Sequence, residues 1–402
     1  MQKTNLNLSK DQLQSIINDF ISQENGVNEL FKTIVNGLMY LERKEFLDND
    51  LNKNKANGFR KILKAGFGSG LELCIPRDRL SLFKPLILAM LDQQEEKIKD
   101  LSFALYGKGL TTREISDILH DIYGSGYSKS TISNISKEFY GFFESWLTRS
   151  LDDYYPIVFI DALYLKVRRG STVSTEAFYV VLGLKEDFTR EIISIENIPT
   201  ESAVGWSEVL NNIKTRGLKH VGLFVSDDLK GLDSCISLNY PSSSHQKCVL
   251  HFTRNIVKHI RIQDRELFCE GLKKQFEIEE GEENKEKLVR NLKIFLNSWV
   301  SSYPTLKKVI KREDLSLLFT YKTYDKRIRR MIYTTNWIER FNKSVKRTTK
   351  IRNSLPSPKA ALMLICYKAL EQEEKSFKYI LYNFKYERSL MKHEFMENLN
   401  KE

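Results

Sequence analysis

Cysteine and long apolar runs are scarce in this sequence. Five cysteines are scattered through 402 residues. An odd, widely spaced set does not form the disulfide framework of a small secreted domain, and reduced thiols are typical of the cytoplasm. The longest apolar runs, such as Pro85–Leu91 and Ile157–Ile160, fall far short of the roughly 20 residues that a membrane-spanning helix needs. The N-terminus also lacks the apolar core of a secretory signal, so we expect a cytoplasmic protein.

Internal repeats and low-complexity linkers are missing as well, which argues against a solenoid or a disordered scaffold. The length predicts two or three domains with ample size for a core. Hydrophobic residues make up 41% and charged residues 29%, as in ordinary globular proteins. The formal net charge is +11, which suits a polyanionic partner. Nucleic acid is the simplest such partner, and an anionic membrane surface is the alternative.

The N-terminal region, residues 1 to about 105, has mostly helical periodicity. The pattern breaks between Asn57 and Arg79, where glycines, basic residues and apolar residues are mixed. We interpret this stretch as a candidate basic platform. Its cations are Arg60, Lys61, Lys64, Arg77 and Arg79.

Two short helices joined by a glycine-containing turn are predicted at about 110–140. Thr111 and Glu114 have the spacing of a capping box at the start of the first helix. This pattern favours a helix-turn-helix that binds DNA, the alternative being an ordinary helical hairpin. The second helix carries side chains that reach phosphates and base edges, namely Lys129, Ser130, Ser133, Asn134 and Lys137.

From Asp152 the periodicity changes to that of strands, which favours an α/β layer. Three strands are predicted between residues 157 and 198, a fourth at 221–225 and a fifth near 246–250, with helices in between. Residues from about 252 to 326 return to a helical pattern, and further helices are predicted up to the C-terminus.

Two acids follow apolar strand segments, Asp161 and Asp227. We expect both at the carboxyl edge of one sheet, where polar sites form. Two close carboxylates repel each other unless a cation is bound, and hard oxygen ligands suit Mg²⁺ or Mn²⁺. With Glu339 as a third carboxylate, the set fits a site for two ions about 3.5–4 Å apart that act on a phosphodiester. Alternatively, each aspartate is a cap or loop acid.

Glu339 lies on a predicted amphipathic helix that begins near Asn336. Its polar face is rich in cations that would bind a DNA backbone next to Glu339. The alternative is a solvated basic surface with weak pairs such as Glu339–Lys343. The cations are Arg340, Lys343, Lys346, Arg347 and Lys350.

Several motifs in the same order resemble those of the bacterial Mutator-type insertion-sequence transposases. The strand IDALYLKVRR (160–169) resembles their first acid motif, GWSEVLNNIKTRGLKHVGLFVSDDLKGL (205–232) the second, and TTNWIERFNKSVKRTTKIR (334–352) the third. QKCVLHFTRN (246–255) is similar to their Cys-x-x-His motif. IPRDRLSLFKP (75–85) and GLTTREISDILHDIYGSGYSKSTIS (109–133) resemble N-terminal signatures.

The resemblance implies a ribonuclease-H-like catalytic core of α/β class with an all-helical insertion. The core would comprise residues 151–255 and 331–402 and the insertion residues 256–330, after a DNA-binding region at 1–150. The catalytic, metal-binding acids would be Asp161, Asp227 and Glu339, supported by Cys248 and His251. A lone Cys-x-x-His supplies only half of a tetrahedral zinc site, so we do not expect stoichiometric zinc.

The implied function is that of a DDE transposase. It would bind the terminal repeats of an insertion element and, with two Mg²⁺ or Mn²⁺ ions, cut and join double-stranded DNA as a nucleoid-associated homodimer. The family usually has glycine after each of the first two acids, and this chain has Ala162 and Asp228. Asp228 adds a charge near the site. It favours the alternative of a catalytically decayed transposase that only binds DNA, while a structure-selective nuclease is a third possibility.

Overall fold

A computed structural model of the chain describes residue 14 and residues 26–50, 53–65, 70–123, 129–198, 203–277, 284–312, 314–350 and 353–400. The chain divides into two compact units, Met1–Gly141 and Phe142–Glu402. Helices and a five-stranded sheet make the protein a mixed α/β structure, as predicted. Of the helices described, none has both the length and the apolar character required to span a bilayer.

The first unit contains helices and one β-hairpin. Its elements are α1 (Gly26–Asp48), β1 (Ala56–Ala65), β2 (Gly70–Asp78), α2 (Leu86–Gly107), α3 (Thr112–Tyr123) and the start of α4 (Lys129–Leu147). The hairpin occupies the stretch where the helical pattern of the sequence breaks, about residues 57–79, and its two strands were not predicted. Its strands pair antiparallel, with Ile62 opposite Leu73. Basic and apolar residues alternate in this stretch, which we interpreted as a basic platform. Such alternation has the two-residue period of a strand that is buried on one face.

One face of the hairpin builds the core of this unit. Leu71, Leu73 and Ile75 alternate along β2, and all three are buried. They form a cluster with Val35 and Met39 of α1. The hairpin is therefore anchored by one face.

The predicted capping box is present at the start of α3. The Thr111 amide donates to Glu114 Oε2 at 2.6 Å, and the Glu114 amide donates to Thr111 Oγ1 at 3.1 Å. Residues 124–128, which contain the predicted glycine-containing turn, lie outside the described residues. The same holds for the side chains of Lys129 and Ser130, whereas Ser133 and Asn134 are exposed on α4.

The second unit is built around a five-stranded sheet. Its strands are β3 (Tyr154–Arg169), β4 (Thr172–Leu184), β5 (Arg190–Ile198), β6 (His220–Ser226) and β7 (Ser244–Lys247), in the order β5-β4-β3-β6-β7. β3, β4 and β5 are antiparallel neighbours, and β6 and β7 run parallel to β3. Gly170, with φ +59°, makes the tight turn from β3 to β4.

Helices cover both faces of this sheet, so the first part of β3 is buried on both sides. Val158, Ile160 and Ala162 pack in one core with α5 (Ala203–Thr215) and α6 (Leu232–Asn239). Successive side chains point to opposite faces of a strand. Phe159 and Asp161 therefore face the other layer.

The remaining helices follow the sheet in the chain. They are α7 (Val249–Val257), α8 (Arg265–Gln275), α9 (Lys285–Ser298), α10 (Thr305–Arg312), α11 (Lys326–Ile332), α12 (Asn336–Thr349), α13 (Pro358–Gln372) and α14 (Lys392–Leu399). Short 3₁₀ segments are Ile262–Asp264, Leu315–Leu318, Thr320–Thr323, Tyr382–Tyr386 and Arg388–Leu390, and Glu373–Phe377 is a π-helix. α12 contacts β3 directly, because its apolar stripe of Ile338, Phe341 and Val345 is buried.

Candidate active site

Strand register places the first two acids next to each other. Asp161 lies in the middle of β3, which continues to Arg169. The parallel partner β6 is shorter, and its last paired residue, Ser226, lies opposite Ile160. Asp161 and Asp227 therefore directly follow the paired residues Ile160 and Ser226. This register brings both acids to the carboxyl end of β6.

Asp161 is held as a buried carboxylate. It is 8% exposed. The Ala162 amide donates to its Oδ1 at 2.8 Å, and Asn342 Nδ2 of α12 donates to its Oδ2 at 2.7 Å. Burial, followed by the charge of Asp227, raises the pKa of Asp161 above its usual range. A cation at this point would relieve that repulsion.

Asp227 is bound by two hydrogen-bonding side chains. His251 Nδ1 of α7 lies 2.6 Å from Asp227 Oδ1, and Thr335 Oγ1 donates to the same oxygen at 3.0 Å. Burial disfavours the charged imidazole. Hydrogen bonds with Asp227 and Cys248 outweigh it and raise the pKa of His251 to about 10. The imidazolium thus offsets the charge of Asp227.

Glu339 points into this cluster, although the sequence pattern places it on a polar helix face. It is 8% exposed. Arg254 Nη1 lies 3.4 Å from Glu339 Oε1, His251 Nδ1 3.7 Å from the same oxygen, and Lys343 Nζ 3.8 Å from Oε2. A solvent-exposed pair with Lys343 therefore does not describe Glu339 fully, because its carboxylate is buried and lies near three cationic groups.

Cys248 and His251 meet Asp227 at the start of α12. One ligand atom each of Asp227, Cys248 and His251 lies within 4.8 Å of the others. The sequence did not suggest Asp227 as a partner of the Cys-x-x-His pair. The Thr335 hydroxyl lies 3.4 Å from both Cys248 Sγ and His251 Nδ1. Asp227, Cys248 and His251 are therefore connected through the Thr335 hydroxyl in one hydrogen-bonded cluster.

Three of these side chains were missed as functional candidates from the sequence: Thr335, Asn342 and Arg254. Thr335 directly precedes α12, but its hydroxyl makes no cap bond and donates to Asp227 instead. Asn342 follows Glu339 by three residues and Arg254 follows His251 by three. That spacing puts each pair on one helix face and was a usable signal.

Asp228 is directed away from the acids. Lys247 Nζ lies 2.9 Å from Asp228 Oδ1 and 2.8 Å from Asp233 Oδ2. Lys247 is buried, at 5% exposure. The extra negative charge that replaces the usual glycine is thus compensated by a lysine of β7, and Asp227 is the aspartate that faces the site.

A basic groove lies along α12, the helix that carries Glu339. Arg340, Lys343, Lys346, Arg347 and Lys350 are all exposed. The last four line a groove of about 540 Å³ together with Lys166 of β3 and residues 353–355. Leu355 lies beside the C-terminal part of β3, because its amide donates to Lys166 O at 2.9 Å. Cations therefore follow the helix away from Glu339.

Comparison with known proteins gives consistent matches. A family model described as "Transposase, Mutator family" matches residues 1–401. A transposase for insertion sequence element IS1201 from Lactobacillus helveticus is 34% identical, over 90% of this chain and 96% of the relative. A transposase for IS905 from Lactococcus lactis is 32% identical, over 85% of this chain and 88% of the relative. The Drosophila P element transposase strand transfer complex aligns with a TM-score of 0.28 and 12% identity, over 75% of this chain and 85% of that chain, a score too low to assign a shared fold.

Proposed function

The chain belongs to the Mutator family of transposases, and from that premise we propose that it binds the ends of an insertion element and catalyses metal-dependent DNA cleavage and strand transfer. The observation that carries the proposal is the convergence of Asp161, Asp227 and Glu339 through shared neighbours. Asn342, on the helix of Glu339, donates to Asp161, and His251 lies near both Asp227 and Glu339.

We further propose that the sheet of the second unit is a ribonuclease-H-like core. Its first strand carries Asp161, its fourth ends at Ser226 directly before Asp227, and α12 brings Glu339 back after a long helical stretch. Residues 256–330 would be the helical insertion. This arrangement supports the DDE assignment of the three acids.

The donor set fits a hard divalent cation. Asp161, Asp227 and Glu339 offer carboxylate oxygens, the ligands that Mg²⁺ and Mn²⁺ prefer. Burial and the charge of Asp227 raise the pKa of Asp161, and a divalent cation between the two carboxylates would relieve that repulsion. Bound there, two such ions would activate the attacking oxygen and stabilise the leaving oxygen of a phosphodiester.

The neighbouring side chains keep these acids in place. Asn342 fixes the Oδ2 of Asp161, and Thr335 and His251 fix the Oδ1 of Asp227. Since carboxylates must be held in a defined geometry to act on a phosphate, such partners determine how well the site is preorganised. Arg254, which is half exposed beside Glu339, is placed to contact a phosphate.

DNA contacts are proposed at two places. The exposed cations of α12 and the groove beside β3 would hold the backbone near the site. Helices α3 and α4 would form a helix-turn-helix that reads the terminal repeats, with Lys129, Ser130, Ser133 and Asn134 on its second helix. The protein would act as a homodimer on paired element ends.

The decayed-transposase alternative rested on Asp228. Its pairing with Lys247 removes the physical reason to expect interference with Asp227. The active enzyme is therefore the better supported function.

Glu339→Gln tests the proposal, because it keeps the shape and helix propensity while removing a ligand charge. We expect cleavage of DNA carrying the element's ends in Mg²⁺ to fall by orders of magnitude, with DNA affinity retained or slightly higher. Glu270→Gln, an exposed change of the same chemistry on α8, is the matched control. A folded Glu339→Gln protein that cuts at the parental rate would refute the assignment.

A further inference from the structure

The base of the N-terminal hairpin, residues 53–60 and 75–84, is a strongly cationic surface outside the proposed active site. Its exposed cations are Lys53, Lys55, Arg60, Arg77, Arg79 and Lys84. Ion pairs elsewhere on the hairpin involve other lysines, Lys61 with Glu72 and Lys64 with Asp92 and Glu95. Within the described part of the chain, none of the six hairpin-base cations is in an ion pair.

The acid of this segment, Asp78, does not neutralise that surface. It is 1% exposed, and its carboxylate accepts from Asn54 Nδ2 at 2.6 Å and from the amides of Leu82 and Phe83 at 3.0 and 3.1 Å. The Asp78 carboxylate is therefore engaged in hydrogen bonds within the turn that follows β2, and it does not pair with the exposed cations. The same bonds fix the turn, so Arg77 and Arg79 on either side of Asp78 project from an ordered backbone.

Arg43 ties the two strands together from the side of α1. It is 6% exposed, and its Nη1 donates to the carbonyls of Gly58 at 3.0 Å and Arg77 at 3.2 Å. Its guanidinium lies 4.8 Å from the ring of Phe59, which is 54% exposed. Gly58 has φ +65°, which favours glycine at this irregular point of the strand. The hairpin base is thus preorganised and carries exposed apolar as well as cationic side chains.

We propose that the hairpin base is a second contact surface for duplex DNA, in addition to the helix pair α3–α4. A two-stranded antiparallel ribbon fits the major groove, and proteins use such ribbons there. The cations have phosphates as their natural partners. The opposite face of the ribbon is occupied by the core with α1, so the cationic end is the part that is available to DNA. This inference rests on the proposed function, since the DNA is the end of the element.

The test compares two double variants of the full-length protein with the same change in charge. Arg77→Gln/Arg79→Gln removes two hairpin-base cations, and Lys97→Gln/Lys108→Gln removes two exposed cations of the α2 region. Binding to duplex carrying the element's end, and to random duplex, is measured by fluorescence anisotropy at several salt concentrations. Circular dichroism and thermal unfolding check folding, and the single variants Arg77→Gln and Arg79→Gln replace the double variant if it does not fold.

We expect the Arg77/Arg79 variant to bind at least tenfold more weakly at low salt. Its log–log salt slope should be shallower by about 2, since each lost phosphate contact contributes about 0.9. The Lys97/Lys108 variant should stay near the parent. An equal loss on both duplexes identifies phosphate contacts, and a larger loss on the element's end identifies base contacts; both support the surface. If the parent binds and the two variants match in affinity and slope, the surface is refuted while the proposed function stands. If the parent does not bind DNA, both fail.

Discussion

Two adjacent buried threonines before α12 offer a matched test of how the candidate site is held. Thr335 Oγ1 donates to Asp227 Oδ1 at 3.0 Å and lies 3.4 Å from Cys248 Sγ and His251 Nδ1. Thr334 Oγ1 is also buried and has no hydrogen-bond partner among the described residues. Threonine to valine keeps the branched shape and removes only the hydroxyl, so the two variants differ in what that hydroxyl contacts.

The two substitutions should have different effects on the free energy of unfolding. Thr335→Val removes a hydrogen bond to a charged group, worth about 1.5–3 kcal/mol. For a domain of this size, that loss lowers Tm by roughly 3–10 °C. Thr334→Val removes an unpaired buried hydroxyl, whose desolvation costs about 1–3 kcal/mol. We therefore expect Thr334→Val to leave the free energy of unfolding unchanged or to raise it.

Thermal unfolding by calorimetry and cleavage of DNA carrying the element's ends are measured on both variants. Thr335→Val should also cut more slowly and need more Mg²⁺ for half-maximal rate, because Asp227 loses one of its two hydrogen-bonding side chains. Thr334→Val should resemble the parent in both respects. Equal Tm shifts for the two variants, or a parental cleavage rate in Thr335→Val, would refute the role given to this hydroxyl.

Two further predictions concern charges outside the three acids. Lys247→Met should lower Tm, since Asp228 and Asp233 lose their shared cation. Adding Asp228→Gly to this variant should restore part of the lost Tm. If Tm is not restored, the pairing of Lys247 with Asp228 is contradicted. Burial raises the pKa of Glu373 from 4.5 to about 7. The folded state thus holds its proton longer than the unfolded state, and stability falls as pH rises from 4.5 to 7. Glu373→Gln should therefore stabilise the protein at pH 8 and hardly at pH 4, as checked by urea unfolding at both values.

Local patterns in the sequence were sufficient for several features of the structure. Thr111 and Glu114 form the capping box that their spacing indicates. The apolar stripe of α12 is buried as its helical period indicates. Such features depend on residues within a few positions of each other, and the physics of one helix turn is enough to recognise them. The sequence showed that the helical pattern breaks between Asn57 and Arg79, but it did not predict the antiparallel pairing of β1 with β2.

The sequence by itself determined that Asp161 and Asp227 follow apolar strand segments and that Glu339 is surrounded by cations on a helix. Only the tertiary structure decided which partners each acid has. Asn342 binds Asp161 across 181 positions, and Thr335 binds Asp227 across 108. The tertiary structure also decided that Asp228 pairs with Lys247, 19 positions away. These contacts arise because parallel pairing of β6 with β3 and the packing of α12 on the sheet set distances that no local periodicity encodes.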